Sequence, residues 1–145
     1  MRKRLLGLLM LLATAAGLTG CGGMFLSGAQ PMTPPSISNL QLEPTRLRFT
    51  GGQVTVSVQV RDDNGVRAVT LLVVAPDGAR SSVAMDSEGQ DIFRATLNLS
   101  PNIGTNVQRY QLTVEAEDIF GVRSQSSPLM LEVEGLELPP GAPPI

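Results

Sequence analysis

The stretch "RYQLTVEAEDIFG", residues 109–121, decides the fold. Its apolar side chains Tyr110, Leu112, Val114 and Ala116 alternate with Gln111, Thr113, Glu115 and Glu117. A period of two puts each set on its own face of an extended strand, whereas a helix needs recurrence every three to four residues. One face is built for burial and the other for water. The same alternation recurs in both directions along the chain. In "QVTVSVQVRD" (53–62) Val54, Val56, Val58 and Val60 share a face opposite Thr55, Ser57, Gln59 and Arg61. In "FRATLNLS" (93–100) the apolar set is Phe93, Ala95, Leu97 and Leu99, and in "PLMLEVEG" (128–135) it is Leu129, Leu131 and Val133.

A first strand near "SISNLQL" (36–42), the run "VRAVTLLVVA" (66–75) and the short "SSVAM" (81–85) complete seven candidate strands. Gly51-Gly52, Asn64-Gly65, Asp77-Gly78 and Gly121 punctuate them at positions where a turn needs a left-handed backbone. No segment shows a helical face. Seven strands in about 100 residues predict an all-β sandwich of two sheets packed face to face. Phe93 and Tyr110 belong to the expected core faces, and Phe49 and Phe120 are read as plugs at the sandwich ends.

Two segments make the resemblance specific. "YQLTVEAEDIFG" is similar to the penultimate strand of bacterial immunoglobulin-like and fibronectin type III-like domains, and "GGQVTVSVQVRDDNGV" to their second strand and the turn after it. The likeness covers residues 36–134 and implies a single immunoglobulin-like β-sandwich of about seven strands. It also implies a corner role for Tyr110, whose hydroxyl would bond backbone across the sandwich. The chain departs from antibody domains in lacking the buried tryptophan and the inter-sheet cysteines. Asn64-Gly65 suits a tight hairpin, whereas the family's second and third strands lie in different sheets. Such sandwiches host many unrelated roles, so the fold implies no activity.

Upstream of this domain the sequence changes character. Arg2, Lys3 and Arg4 precede an apolar run of 14 residues, Leu5 to Leu18. A permanent membrane span needs about 20 apolar residues, so the run reads as an export signal. Leu18-Thr19-Gly20-Cys21 resembles the lipobox of bacterial lipoproteins. That resemblance implies cleavage between Gly20 and Cys21. It further implies a thioether from Cys21 to diacylglycerol and an acyl chain, of the palmitate class, on the new N-terminus. One chain anchors only marginally, and two or three hold a protein at a membrane without a spanning helix.

The organisation expected is therefore a signal peptide at 1–20 and a lipidated flexible linker at 21–35. The sandwich follows at 36–134, with a Pro-rich tail at 135–145. The lipoprotein resemblance further implies, from Gly22 after the cysteine, the outer membrane in a host with two membranes. The fourteen residues 22–35 reach about 46 Å fully extended and about 20 Å as a coil. Met24, Phe25 and Leu26 lie close enough to the anchor to dip into the lipid interface.

Three of the 11 basic residues fall in the signal and none of the 13 acidic ones, so the mature chain carries a net charge of −5. It has no basic stripe to hold phosphates, and nucleic acid is not expected as a partner. Catalysis is not expected either. The chain has no histidine, and its one lysine, Lys3, lies in the signal. The usual general base and the serine–lysine and Schiff-base alternatives are therefore missing. Asp62, Asp63, Asp77, Asp86, Glu88 and Asp91 are read as solvated turn acids rather than a paired acid and base. No cofactor is expected. Asp62, Asp63, Asn64 and Asp118 offer hard oxygens to calcium, but Asp and Asn also cap turns, and turn capping is preferred. With no tryptophan and five other aromatics, sugar stacking has little to work with.

One feature points to a partner. In "VTLLVVAP" (69–76) both faces are apolar, with Val69, Leu71 and Val73 on one side and Leu72 and Val74 on the other. A strand with a single buried face alternates. Leu72 and Val74 are thus either covered by the chain's own "SSVAM" segment and loops, the preferred alternative, or form a patch that another protein covers. The expected whole is a lipid-anchored, extracytoplasmic module with a structural or protein-interaction role, beside another protein of the envelope. The alternative is a calcium-dependent adhesion or ligand-binding module.

Overall fold

The computed structural model describes residues 32–137 and 141, all of them strand, turn or loop. Ten strands follow in order: β1 (Ser36–Glu43), β2 (Arg46–Leu47), β3 (Gly52–Arg61), β4 (Val66–Val74), β5 (Arg80–Ala84), β6 (Asp86–Gly89), β7 (Ile92–Leu99), β8 (Gln108–Asp118), β9 (Arg123–Gln125) and β10 (Leu129–Val133). One sheet has the order β1-β3-β7-β6, and the other β2-β10-β8-β4-β5 with β9 on the far end of β8. All pairs are antiparallel except β2 with β10. First, third, seventh and sixth strands in one sheet, facing tenth, eighth and fourth in the other, is the ABED/GFC arrangement of the immunoglobulin sandwich. The described residues form a single immunoglobulin-like β-sandwich.

The alternation seen in the sequence is what closes the two sheets. Val54, Val56, Val58 and Val60 of β3 are at most 1% exposed and face Leu71, Leu112, Val114, Leu131 and Val133 of the opposite sheet in one core cluster. That core is wholly aliphatic. Phe93 and Tyr110 are only half-buried and pack against its margin. The absence of a ring from the centre suits β-branched valines, whose stiff side chains fill the space between pleated sheets without losing rotamer freedom.

The seven candidate strands correspond to β1, β3, β4, β5, β7, β8 and β10. β2, β6 and β9 add short edges. Asn64-Gly65 closes no hairpin, because β3 and β4 lie in different sheets and the turn carries the chain across. Another crossing occurs at Met85, between β5 and β6. Its side chain drops into the core at 6% exposure while its N–H donates to the Val69 carbonyl at 2.9 Å.

Tyr110 does not act as a corner. Its hydroxyl reaches the Gln108 side chain at 3.5 Å, not backbone across the sandwich. The corner between β7 and β8 is tied instead by Asn102, 1% exposed. Its amide nitrogen donates to the carbonyls of Asn106 (2.8 Å) and Glu134 (3.0 Å), and its oxygen accepts from the Gly104 N–H (3.1 Å). The chain beyond β10 stays bound to this corner, with Leu136 N–H donating to the Gly104 carbonyl at 2.8 Å. Gly135 must be glycine there, since a Cβ would overlap the backbone of Thr105.

Register places the two termini of the domain at opposite ends. Ser36 pairs with Arg61 at the finish of β3, and Val133 pairs with Gln108 at the start of β8. Residues 1–31, which include the expected signal, Cys21 and the segment Met24–Leu26, lie outside the described residues.

Candidate functional site

Leu72 and Val74 project from β4 onto the outward face of the six-stranded sheet. Their neighbours follow from the register: Leu72 stands between Thr113 and Ser82, and Val74 between Gln111 and Arg80. Gln111 in turn pairs with Met130, half-exposed on β10. Residues 81–84 of "SSVAM" lie beside β4 as β5, in the same sheet, and Met85 turns inward. The segment expected to cover Leu72 and Val74 therefore borders them instead. Both are half-buried among their neighbours' side chains and open to solvent above.

Arg80 stands at the β5 edge of this window, and ion pairs bound it along the strands. Toward one end Arg123 pairs with Glu115 (3.2 Å) and Glu117 (2.7 Å), and Arg67 with Glu117 (3.1 Å). Toward the other, Glu132 takes Arg109 (3.0 Å) and Arg46 (3.1 Å). The hydrogen bond from Arg109, with the positive charges of Arg109 and Arg46, holds the Glu132 carboxyl below the usual glutamate value, against a smaller opposing effect of burial. Apolar and neutral polar side chains thus lie in the middle of this face, with charged ones at its margin.

Gly20 and Cys21 lie outside the described residues. Asp62 Oδ1 accepts the N–H of Asn64 at 2.8 Å. Asp118 is fully buried, and its Oδ1 accepts the N–H groups of Phe120 (2.9 Å) and Val122 (2.7 Å). Its Oδ2 is the one buried side-chain polar atom without a partner among the described residues. Asp63 is exposed beside Asp62. Asp62 and Asp118 thus spend oxygens on their own turns, and no group of three or more candidate ligands is placed to hold a metal among the described residues. Of the other acids, Asp77 caps its own turn through the Ala79 N–H, Asp91 pairs with Arg61 and Glu88 with Arg94. Asp86 and Glu88 lie on β6 rather than in a turn.

Phe120 is not a plug. It and Ile119 are both more than half exposed at the turn between β8 and β9. The sequence signal for this was present in "DIFG", an Asp-x-x-Gly turn whose two middle residues are apolar.

No family model matches this chain, and no curated protein matches it. Among solved structures it is similar to a DUF4785-family protein of Legionella pneumophila, at 13% identity and a TM-score of 0.52, over 72% of this chain and 29% of that one. The chain thus spans less than a third of that protein's length. Murine CRIg matches at 13% identity and a TM-score of 0.39, over 72% of this chain and 100% of that one. A bacterial immunoglobulin-like domain from the M. primoryensis ice-binding adhesin matches at 10% identity and a TM-score of 0.36, over 72% and 96%. At such identities similarity speaks to fold alone, and the strand order carries the immunoglobulin assignment.

Proposed function

We propose that this chain is a membrane-anchored lipoprotein that holds an immunoglobulin-like module outside the cytoplasm and takes a protein partner on the outward face of its six-stranded sheet. The observation that carries the partner reading is the uncovered window of Leu72, Val74 and Met130 between two sets of ion pairs. Burying such a window adds apolar area, while the margin of charges sets orientation and excludes wrong partners. The lipobox at residues 18–21 supports the anchor, with acyl chains on Cys21 and an extracytoplasmic face. In a host with two membranes the outer one is its place. Nothing in this reading requires catalysis. The mature chain brings neither histidine nor lysine, and its turn acids cap backbone or pair with arginine.

The test is crosslinking in intact cells, comparing the native chain with the double variant Leu72→Glu, Val74→Glu. Captured partner is expected to fall to background while the melting temperature of the purified domain stays nearly unchanged. Undiminished capture, or a collapse in melting temperature, contradicts the reading. Calorimetric titration with Ca²⁺ separates it from a calcium-dependent adhesion module, because strong binding contradicts the turn-capping roles of Asp62 and Asp118.

A further inference from the structure

The turn between β8 and β9 is built to hold two apolar side chains in water. Gly121 N–H donates to the Asp118 carbonyl at 3.2 Å, which makes Ile119 and Phe120 the central residues of a β-turn. Such positions are ordinarily polar. Here they are 55% and 54% exposed. The buried Asp118 carboxylate fixes the turn through the N–H groups of Phe120 and Val122, and Ile119 N–H donates to the Gly65 carbonyl at 3.2 Å. Ile119 Cγ2 rests against Gly65, 3.8 Å from where a Cβ would stand. The tip is therefore rigid as well as apolar.

Its position names the occupant. The chain enters the sandwich at this same end. Ser124, on β9 just past the turn, donates its hydroxyl to the Pro35 carbonyl at 2.6 Å. Ser36 pairs with Arg61 immediately before the turn that receives Ile119. Only fourteen residues separate Cys21 from Ser36, and a segment of that length would span about 20 Å as a coil.

We propose that Ile119 and Phe120 form a wedge that seats in the lipid surface to which Cys21 is anchored. This rests on the lipoprotein reading above. A short tether supplies an effective concentration in the millimolar range, so two side chains suffice to orient the domain although they would not bind a membrane alone. Asp62 and Asp63, at the same end and without ion-pair partners among the described residues, make a zwitterionic surface the preferred one.

The chain contains no tryptophan, so a single introduced indole reports its own surroundings. Full-length lipidated Phe120→Trp is reconstituted into phosphatidylcholine vesicles with and without brominated acyl chains. Ile103→Trp, 83% exposed at the opposite end, serves as reference. The expected result is blue-shifted emission at position 120, quenched several-fold more strongly by brominated lipid than at position 103. A stepwise loss of quenching is expected as phosphatidylglycerol replaces phosphatidylcholine. Equal, water-like emission from both variants in protein that floats with the vesicles overturns the wedge and leaves the anchor standing. A blue shift that brominated lipid does not quench assigns the tip to a protein contact and also overturns it. Protein that fails to float overturns the anchor, and the wedge with it.

Discussion

Asn102 and Asp118 are the two polar side chains that the core takes in among the described residues, one at each end of the sandwich. Each replaces backbone pairing that a strand cannot supply where it ends. Asn102 joins the β7–β8 corner to the segment after β10, and its loss leaves the carbonyls of Asn106 and Glu134 without their donor. Asn102→Ala is expected to lower stability by about 1–3 kcal/mol, read as a reduced denaturant midpoint with unchanged m-value. A shift within error would show that water replaces the amide. The role of Asn102 is not legible in sequence. "PNIG" reads as an ordinary loop, and what buries Asn102 is a chain segment more than thirty residues away. Asp118 was legible as a turn cap near a strand end; that it reaches Val122 as well as Phe120 depends on the backbone curling back there.

Periodicity reveals an element only when it is long enough to repeat. β3 and β8, with 10 and 11 residues, announce themselves. β2 has two residues, β6 reads "DSEG" with nothing apolar, and β9 reads "RSQ"; all three exist because a neighbouring strand offers an edge. The double-sided apolar pattern of β4 was equally legible, but not that β5 would lie beside it and leave Leu72 and Val74 open. At the β2–β10–β8 margin, Glu132 links Arg46 and Arg109. Its carboxyl titrates below the usual glutamate value of about 4.5. A depressed folded-state value contributes stability that is complete above the unfolded value and fades as pH falls through the folded one. The stability gap between the native chain and Glu132→Gln is therefore expected to persist from neutrality to about pH 4.5 and to shrink on further acidification. A gap constant down to pH 2, followed by urea unfolding, would assign the effect to packing.

The whole chain is organised around its two ends. It enters the sandwich beside the Ile119–Phe120 turn and leaves at the Asn102 corner, so the proposed tether at Cys21 would hold the Ile119–Phe120 end near the lipid. The fold was legible because alternation, turn glycines and length agree. A partner was not, because nothing in a single chain encodes the surface that meets it. The account depends most on a thioether at residue 21. Mass spectrometry of protein extracted from its native membrane tests that directly: the account predicts a mature chain that begins at Cys21, carries diacylglycerol on its sulfur and offers no thiol to maleimide. A chain that begins upstream of Cys21, or a cysteine that alkylates, contradicts it.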